Sequence, residues 1–360
     1  MEISIQEKRS LSKKEGFLFW VIALSIVLLG TIIGAIAIGS TYIEPGEVYK
    51  VLLSKLSNGT LFGNAGTVMT QNIIWEIRLP RVLLGAICGA GLAICGVLMQ
   101  CVTKNPIAEP YILGISSGAS CGAVGVIVLG GISVIGINSI SVGAFVGSII
   151  SGALVFVIGT QMGKTTSTTR LVLTGMAIST IFSALTNLLI YSADNSNQAK
   201  NALFWTIGSL GGAKWDVLLF PFITLVVVII IAFIMSKSLD ILLLGDDSAI
   251  ILGINVKMIK SIVLILATLL TSSLVAITGA IGFIGLVVPH VSRTIAGSDH
   301  KKLIVFSALI GPIFLILSDV IARGLFPPIE IPIGIITSLV GGPFFLYLIS
   351  KKNYAFGGND

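Results

Sequence analysis

The chain has 360 residues, of which 55% are hydrophobic and only 11% are charged, and its mean hydropathy is +1.04. Soluble domains carry roughly 25% charged residues, so this composition excludes a soluble globular protein and predicts an all-α protein embedded in a lipid bilayer. The net charge of +6 indicates no nucleic-acid partner, because the sequence has no basic patch interleaved with aromatic residues.

Runs without Asp, Glu, Lys or Arg delimit the predicted transmembrane helices. One crossing needs roughly 20 residues. The two longest of the eight runs, 110–163 and 261–292, are too long for a single helix, so each is predicted to hold two. The runs are 16–43, 82–103, 110–163, 171–193, 217–236, 261–292, 303–318 and 331–350, with breaks near Gly130 to Ser141 and near Gly279 to Gly282. The sequence therefore predicts ten transmembrane helices in one domain, 16–350, with tails at 1–15 and 351–360.

Lysine and arginine in the connecting segments predict the orientation, since these residues are enriched on the cytoplasmic side. With the N-terminus inside, 15 of the 22 lysines and arginines fall on the inner side and 7 on the outer side. Both termini are therefore predicted to be cytoplasmic, which requires an even number of crossings and agrees with ten.

Two connecting segments are long: 44–77 on the predicted outer side and 237–260 on the inner side. In the inner segment, Asp246 and Asp247 precede the apolar turn 248–252, and Gly253 follows it. Acidic residues before such a turn and glycine after it are the start and stop signals of a short helix. A short amphipathic helix here would lie on the membrane or dock a partner, and its two acidic residues argue against anionic lipid.

The sequence offers no set of residues for catalysis, for a metal or for a cofactor. The only histidines are His290 and His300, and the four cysteines have no metal-ligand spacing, so they are interpreted as packing residues. The segment Gly163 to Thr165 resembles the end of a phosphate-binding loop, but that motif requires glycine where this chain has Ile158. The chain is therefore predicted not to be an enzyme and not to bind ATP by this motif.

Charged residues near the outer ends of predicted helices are few and specific. Asp319 and Arg323 are four residues apart, so they can pair on one helix face. An ion-coupled secondary transporter would be expected to bury more carboxylates, which counts against that class. Arg78 and Arg81 flank Pro80; composition alone leaves open whether they anchor the helix at the interface or bind an acidic partner outside the membrane.

The 41 glycines include several with three-residue spacers. The pairs at 85 and 89, at 143 and 147, and the triplet at 114, 118 and 122 place small residues on one helix face. Such faces allow transmembrane helices to pack closely. Most of these glycines are therefore predicted to serve helix packing.

Three sequence blocks, in order, resemble one family. The segments RLPR (78–81), MQ (99–100), NPIAEP (105–110) and LGISSGA (113–119) form the first, GAIGFIGLVVPHVSRTIAGSDHKKL (279–303) the second, and LSDVIARG with IPIGIITSLVGGPFF (317–324 and 331–345) the third. They resemble the signatures of the iron-chelate and cobalamin ABC permease family, the FecCD type. The resemblance covers nearly the whole chain apart from the N-terminal tail and the 44–77 segment.

The resemblance implies the transmembrane permease subunit of a type II ABC importer in a bacterial cell membrane. It implies a second permease subunit, identical or not, two cytoplasmic ATPase subunits that hydrolyse ATP, and an extracytoplasmic binding protein that delivers substrate. The implied cargo is an iron chelate, with a ferric siderophore first and haem or cobalamin as alternatives. The alternative from another class is an ion-coupled secondary transporter.

The resemblance also implies roles for individual residues. Arg78, Arg81 and Arg323 match arginines that receive acidic residues of the binding protein. Asn105 and Ile107 match a cytoplasmic gate. The inner segment matches coupling helices that seat in a cleft of the ATPase, and its implied contact residues are Asp246, Asp247, Ser248, Ala249, Leu252 and Gly253.

Overall fold

The structure, a computed structural model, describes residues 2–39, 43–63, 65–130, 139–161, 168–327 and 329–351. These residues form α-helices with no strand beyond one isolated bridge between Phe326 and Ile329. The helices are α1 (Glu2–Ala37), α2 (Pro45–Leu56), α3 (Val68–Asn72), α4 (Leu79–Thr103), α5 (Ile115–Leu129), α6 (Ser139–Gln161), α7 (Thr168–Tyr191), α8 (Ser196–Ile207), α9 (Trp215–Leu242), α10 (Asp246–Ile251), α11 (Val256–Thr278), α12 (Ile284–Ala296), α13 (His300–Gly324) and α14 (Ile333–Lys351).

Seven helical stretches of the described chain are long and apolar enough to cross a membrane. They correspond to α1, the continuous stretch Val68–Thr103, α6, α7, α9, α11 and α13. Three shorter apolar helices, α5, α12 and the first 16 residues of α14, complete the set. The all-α membrane fold is confirmed, whereas the count of ten crossings stays a prediction because the three shorter helices fall below the length of a full crossing.

Helix α4 is the centre of the bundle, and most of its residues are buried. Glycines let its neighbours approach at backbone distance. A Cβ atom on Gly89 would overlap the carbonyl of Gly311 on α13, and one on Gly96 would overlap the carbonyl of Gly285 on α12. Close packing of this kind substitutes for a hydrophobic driving force between helices in lipid.

The predicted glycine faces also join α5 to α6. A Cβ atom on Gly118 would overlap the carbonyl of Gly147, and one on Gly122 would overlap the carbonyl of Gly143. The packing prediction is therefore confirmed for these four glycines. Gly114 instead ends the turn before α5 with φ of 69°, a conformation that glycine adopts without strain.

Predicted boundaries differ from the structure in several places, of which the N-terminal tail and the outer segment are two. Helix α1 begins at Glu2 and so includes most of the predicted tail 1–15, and the predicted outer segment 44–77 is largely helical, with α2, α3 and a π-helical turn at Ile73–Arg78. The predicted break of 261–292 is confirmed, since α11 ends at Thr278 and α12 begins at Ile284. Residues 131–138 of the other break, Lys164, and residues 352–360 of the C-terminal tail lie outside the described residues.

Candidate functional site

The three outer arginines lie at one end of the bundle, where α1 ends, α4 begins and α13 ends. The π-helical turn ends at Arg78, Pro80 occupies the first turn of α4, and Arg323 lies in the last turn of α13. The whole residues are only 4%, 8% and 6% exposed for Arg78, Arg81 and Arg323. The sequence predicts one shared role for the three arginines at the outer surface, but it gives no signal that they are buried.

Two of these arginines bind the C-terminal end of α1. Arg78 Nη1 donates hydrogen bonds to the carbonyl oxygens of Ile36 and Ala37 at 2.7 and 2.8 Å, and Arg323 Nη2 donates to the carbonyl oxygen of Ala35 at 3.1 Å. The last carbonyls of a helix lack intrahelical partners and carry the negative end of its dipole. The arginines therefore cap α1 and fasten it to α4 and α13.

Asp319 joins Arg81 to Arg323, and Arg78 shares the C-terminal end of α1 with Arg323. We call these residues and Glu330 the outer arginine network: Arg78, Arg81, Asp319, Arg323 and Glu330. Arg81 lies 2.9 Å from Asp319 and 2.8 Å from Glu330. The predicted pairing of Asp319 with Arg323 is confirmed at 3.0 Å. The bond between Arg81 and Asp319 joins residues 238 positions apart, and sequence spacing gives no signal for it.

The predicted gate residues lie in a tight turn just after α4. Lys104 ends the helix in the left-handed region with φ of 50°. The Asn105 side-chain oxygen then accepts a hydrogen bond from the Ile107 amide at 3.1 Å, and its carbonyl oxygen accepts one from the Ala108 amide at 3.1 Å. Asn105 and Ile107 are both partly exposed. The segment 104–108, the gate turn, is therefore held by its own hydrogen bonds.

The interrupted stretch between α11 and α12 is hydrogen-bonded to Tyr111, which follows the gate turn. The Tyr111 hydroxyl donates to the carbonyl oxygen of Ile281 at 2.6 Å and accepts from the Ile281 amide at 3.0 Å. Gln100 Nε2 donates to the carbonyl oxygen of Gly285 at 3.1 Å. These contacts connect the α4–α5 segment to the interrupted stretch between α11 and α12, and sequence analysis missed them.

The predicted short helix at the inner end is present as α10. Gly245 precedes it at φ of 116° and Gly253 follows it at φ of 81°, so both ends use conformations that favour glycine. Ala249 is the buried residue of α10. The outward side is apolar, and Ile250, Ile251 and Leu252 are 60%, 84% and 57% exposed.

Asp246, the first residue of α10, forms ion pairs with two lysines from different elements. Its Oδ1 lies 2.7 Å from Nζ of Lys104, and its Oδ2 lies 2.6 Å from Nζ of Lys260 on α11. Partial burial on its own would raise the pKa of Asp246, but the hydrogen bonds and charges of the two lysines lower that pKa below its usual value. The gate turn, α10 and α11 therefore meet at one ionised carboxylate.

The inner ends of α9 and α13 are joined by another contact. The Asp240 Oδ1 atom lies 2.6 Å from Nδ1 of His300 and accepts a hydrogen bond from the His300 amide at 3.0 Å. The His300 side chain is fully buried. This pair fixes the start of α13 beside the segment that carries α10, which identifies a structural role for a histidine whose sequence context indicated none.

Helix α7 differs from its neighbours because few of its residues are buried. Only 17% of its most apolar window is buried inside the chain. Its exposed surface mixes apolar side chains with Thr180, Ser183 and Asn187. The Thr180 hydroxyl donates to the Met176 carbonyl oxygen at 2.9 Å and the Ser183 hydroxyl to Ser117 Oγ at 3.5 Å. Exposed polar side chains on an otherwise apolar helix are typical of a face that meets protein or a water-filled space.

A cavity of about 500 Å³ opens between α8, the break before α12, and α14. Small residues form much of its wall, among them Ala280, Gly282, Gly334 and Ser338. Its lining contains no ionisable side chain. It therefore has the shape and chemistry of a passage surface rather than of a tight polar binding site.

The chain is similar to known transport permeases. The chain is 39% identical to the hemin transport system permease protein HmuU of Yersinia pestis, over 82% of this chain and 89% of that protein. It is 36% identical to the Fe(3+)-citrate import system permease protein YfmE of Bacillus subtilis, over 95% and 98%. A solved structure described as an inward-facing conformation of a metal-chelate-type ABC transporter matches with a TM-score of 0.79 and 30% identity, over 92% and 99%.

The family assignment follows from the extent of these matches. The family model of the FecCD transport family matches residues 26–351, which include the outer arginine network, the gate turn and α10. The two curated relatives are permease proteins, and the matched structure has the same bundle of helices. The chain is a multi-pass bacterial membrane protein that belongs to the FecCD transport family.

Proposed function

We propose that this chain is a permease subunit of an ABC importer and that a separate cytoplasmic ATPase drives it. The observation that carries the proposal is the outward apolar face of α10. Leucine and isoleucine side chains exposed on a short helix at the inner end of the bundle are suited to an apolar cleft of a partner. Two copies of the ATPase would serve two permease subunits, with Asp247, Ser248 and Leu252 at the contact and Gly253 ending the helix.

A second permease subunit would complete the pathway. The sparsely buried face of α7 carries the exposed residues Thr180, Ser183 and Asn187, and a facing subunit with a passage between them would give these groups a polar environment. Asn105 and Ile107 in the gate turn would close the passage at its inner end. The second subunit can be another copy of this chain or a different permease.

An extracytoplasmic binding protein would dock at the outer end. For Arg78, Arg81 and Arg323 to receive its acidic residues, a carboxylate of this chain has to give way, because the guanidinium groups already bind Asp319, Glu330 and α1. Glu330 is the replaceable partner, since its side chain is 48% exposed while that of Asp319 is 3% exposed. We infer that an incoming carboxylate displaces Glu330 from Arg81.

The proposed cargo is an iron chelate, with a ferric siderophore first and haem or cobalamin as alternatives. The wall of small and apolar residues near Gly282 and Gly334 suits a large chelate better than a bare ion, which would require a dense set of oxygen ligands. The relatives reported above are permease proteins of a hemin transport system and of a Fe(3+)-citrate import system, so a haem and a ferric carboxylate chelate are both included in the test.

Uptake in cells with and without the chain tests this function. The probes are labelled ferric hydroxamate, ferric catecholate, ferric citrate, haem and cobalamin. We expect deletion to abolish uptake of one of them, and we expect that uptake to fail when ATP is depleted and to survive collapse of the proton gradient. The opposite energy dependence would assign the chain to ion-coupled transport.

A point variant separates the ATPase contact from the pathway. Ile251→Asp places a charge on the most exposed side chain of α10 and should abolish co-purification of the ATPase, because a desolvated unpaired charge is costly. Leu219→Asn on the exposed surface of α9 serves as a control for altered surface polarity, since Leu219 is 65% exposed. Undiminished ATPase binding by the Ile251→Asp variant would contradict the role of α10.

A further inference from the structure

Asp246 is the residue of α10 that forms an ion pair with the gate turn, through Lys104. Its two carboxylate oxygens bind Lys104 and Lys260 separately, at 2.7 and 2.6 Å. We propose that Asp246 is a positioning residue that joins α10 to the gate turn through Lys104, so that a displacement of α10 is passed directly to Asn105 and Ile107 within the same subunit. This inference rests on the proposed function for the meaning of α10 as the surface that the ATPase moves.

Lys260 provides the fixed side of this joint. Its side chain is 2% exposed and lies on the first turns of α11. A buried ammonium group requires a compensating charge, and the Asp246 carboxylate supplies it. The start of α10 is thereby held against α11, while the second carboxylate oxygen remains available to Lys104.

Lys104 provides the side that moves with the gate. It is the residue immediately before Asn105, and its backbone is fixed in the left-handed region with its amide bonded to the carbonyl oxygen of Cys101 at 3.3 Å. Asn105 accepts hydrogen bonds from the Ile107 and Ala108 amides, and these bonds make the following residues one unit. A force on the Lys104 side chain therefore acts on the whole gate turn.

The remaining structure of α10 leaves Asp246 as its main polar attachment. Ala249 is the buried residue of this helix, and the glycines at 245 and 253 allow its ends to turn. A short helix held by one small buried side chain and one carboxylate can tilt as a body. Under such a tilt about the Lys260 contact, the Asp246 carboxylate turns with the helix, and its ion pair with Lys104 transmits the rotation to the gate turn.

Amide hydrogen exchange on the purified chain in detergent micelles tests this joint without ATPase or substrate. We expect Lys104→Met to raise exchange of the amides of Ala249 and Ile250 by about twofold to fivefold, the range for a partly exposed ion pair. Reciprocally, Asp246→Asn should raise exchange of the Ile107 and Ala108 amides. Lys104→Arg and Asp246→Glu, which keep the charges, should restore most of the protection.

Controls distinguish the joint from a general loosening. Lys257→Met removes an exposed lysine near Lys260 and should leave amide exchange in both segments unchanged. In the Lys104→Met/Asp246→Asn double variant, the exchange rates should exceed those of neither single variant by more than twofold, because both substitutions remove the same contact. The Lys104→Met variant keeps the Asp246–Lys260 pair and so guards against misfolding caused by a buried lysine charge.

The outcome that would overturn the joint is specific. If Lys104→Met leaves α10 unchanged and Asp246→Asn leaves the gate turn unchanged, the ion pair does not connect the two segments. Because this experiment contains neither ATPase nor chelate, such a result leaves the proposed function standing. Failure of the proposed function would appear instead in the uptake assay with the unaltered chain.

Discussion

The two ends of the bundle are both held by ion pairs, but they differ in burial and in what they join. At the outer end, Asp319 lies between Arg81 and Arg323 with a side chain 3% exposed, and Arg78 and Arg323 cap α1. At the inner end, the Asp246 side chain is 39% exposed. The outer network is therefore part of the folded core. The Lys104–Asp246 ion pair, which we call the inner bridge, lies at the surface, with side chains 34% and 39% exposed.

This difference indicates which end can move. Removing one partner of a buried ion pair leaves an uncompensated charge, which strongly destabilises the fold. The outer network therefore cannot open at small cost. A partly exposed pair is weak and is screened by salt, so it can open and close at small cost. We infer that the outer end acts as the fixed frame and the inner end as the part that rearranges.

The largest expected effect is at Asp319. Asp319→Ala leaves the buried guanidinium groups of Arg81 and Arg323 without their shared carboxylate, and we expect it to lower the free energy of unfolding by about 3–5 kcal/mol. Thermal unfolding in detergent measures this loss. Glu330→Gln is the matched control, since its side chain is 48% exposed and its loss should cost less than about 1 kcal/mol. Equal effects of the two variants would show that burial does not distinguish them.

Glycines of α4 allow the two halves of the bundle to be compared directly. Gly89→Ala pushes α4 away from the backbone of α13, and Gly96→Ala pushes it away from α12. Each substitution should lower the free energy of unfolding by about 1–3 kcal/mol through overpacking. If the inner half is the adaptable one, Gly96→Ala should cost less. Gly34→Ala on α1 is the control, since a Cβ atom there meets nothing within 4 Å. A larger loss of stability for Gly96→Ala would reverse the assignment of frame and moving part.

A smaller effect is expected on transport when the inner bridge is cut. Lys104→Met should lower the amount of chelate taken up per ATP hydrolysed by about fivefold, a coupling free energy at the low end of the usual range. The chelate used is the one that the uptake panel identifies. ATP hydrolysis and ATPase binding should be retained, because the apolar face of α10 is unchanged. Proteoliposomes in which both quantities are measured provide the test, and a parallel loss of hydrolysis and uptake would point to impaired ATPase docking instead.

The sequence predicted the membrane fold because hydrophobic run lengths and glycine spacing are local properties. The pairing of Asp319 with Arg323 was also accessible, since four residues separate them on one helix. The break before α12 and the short helix α10 carried glycine and acidic signals that the structure confirms. Each of these predictions depends on residues close together along the chain.

The contacts that define the two ends could not be predicted in this way. Arg81 and Asp319 are 238 residues apart, Lys104 and Asp246 are 142 apart, and Tyr111 and Ile281 are 170 apart. Local spacing is silent on such pairs, because they depend on how α4 packs against α11, α12 and α13. The proposed roles of Arg78, Asn105 and Ile107 came from family resemblance, and they stay predictions.

The smallest expected effect concerns pH and salt at the inner bridge. The lysines lower the pKa of Asp246 in the folded chain, so its stabilising contribution is present above the unfolded value of about 3.9 and is lost as pH falls through the lower folded value. After correction for intrinsic exchange, protection of the Ala249 amide should stay constant from about pH 8 to about pH 5. Raising KCl to about 0.5 M should reduce it, because screening acts on exposed charges, whereas amides of α13 beside Asp319 should respond less. A loss of Ala249 protection beginning below about pH 6.5 would instead indicate control by a histidine, and His300, whose pKa is lowered by burial, would then be the group to substitute.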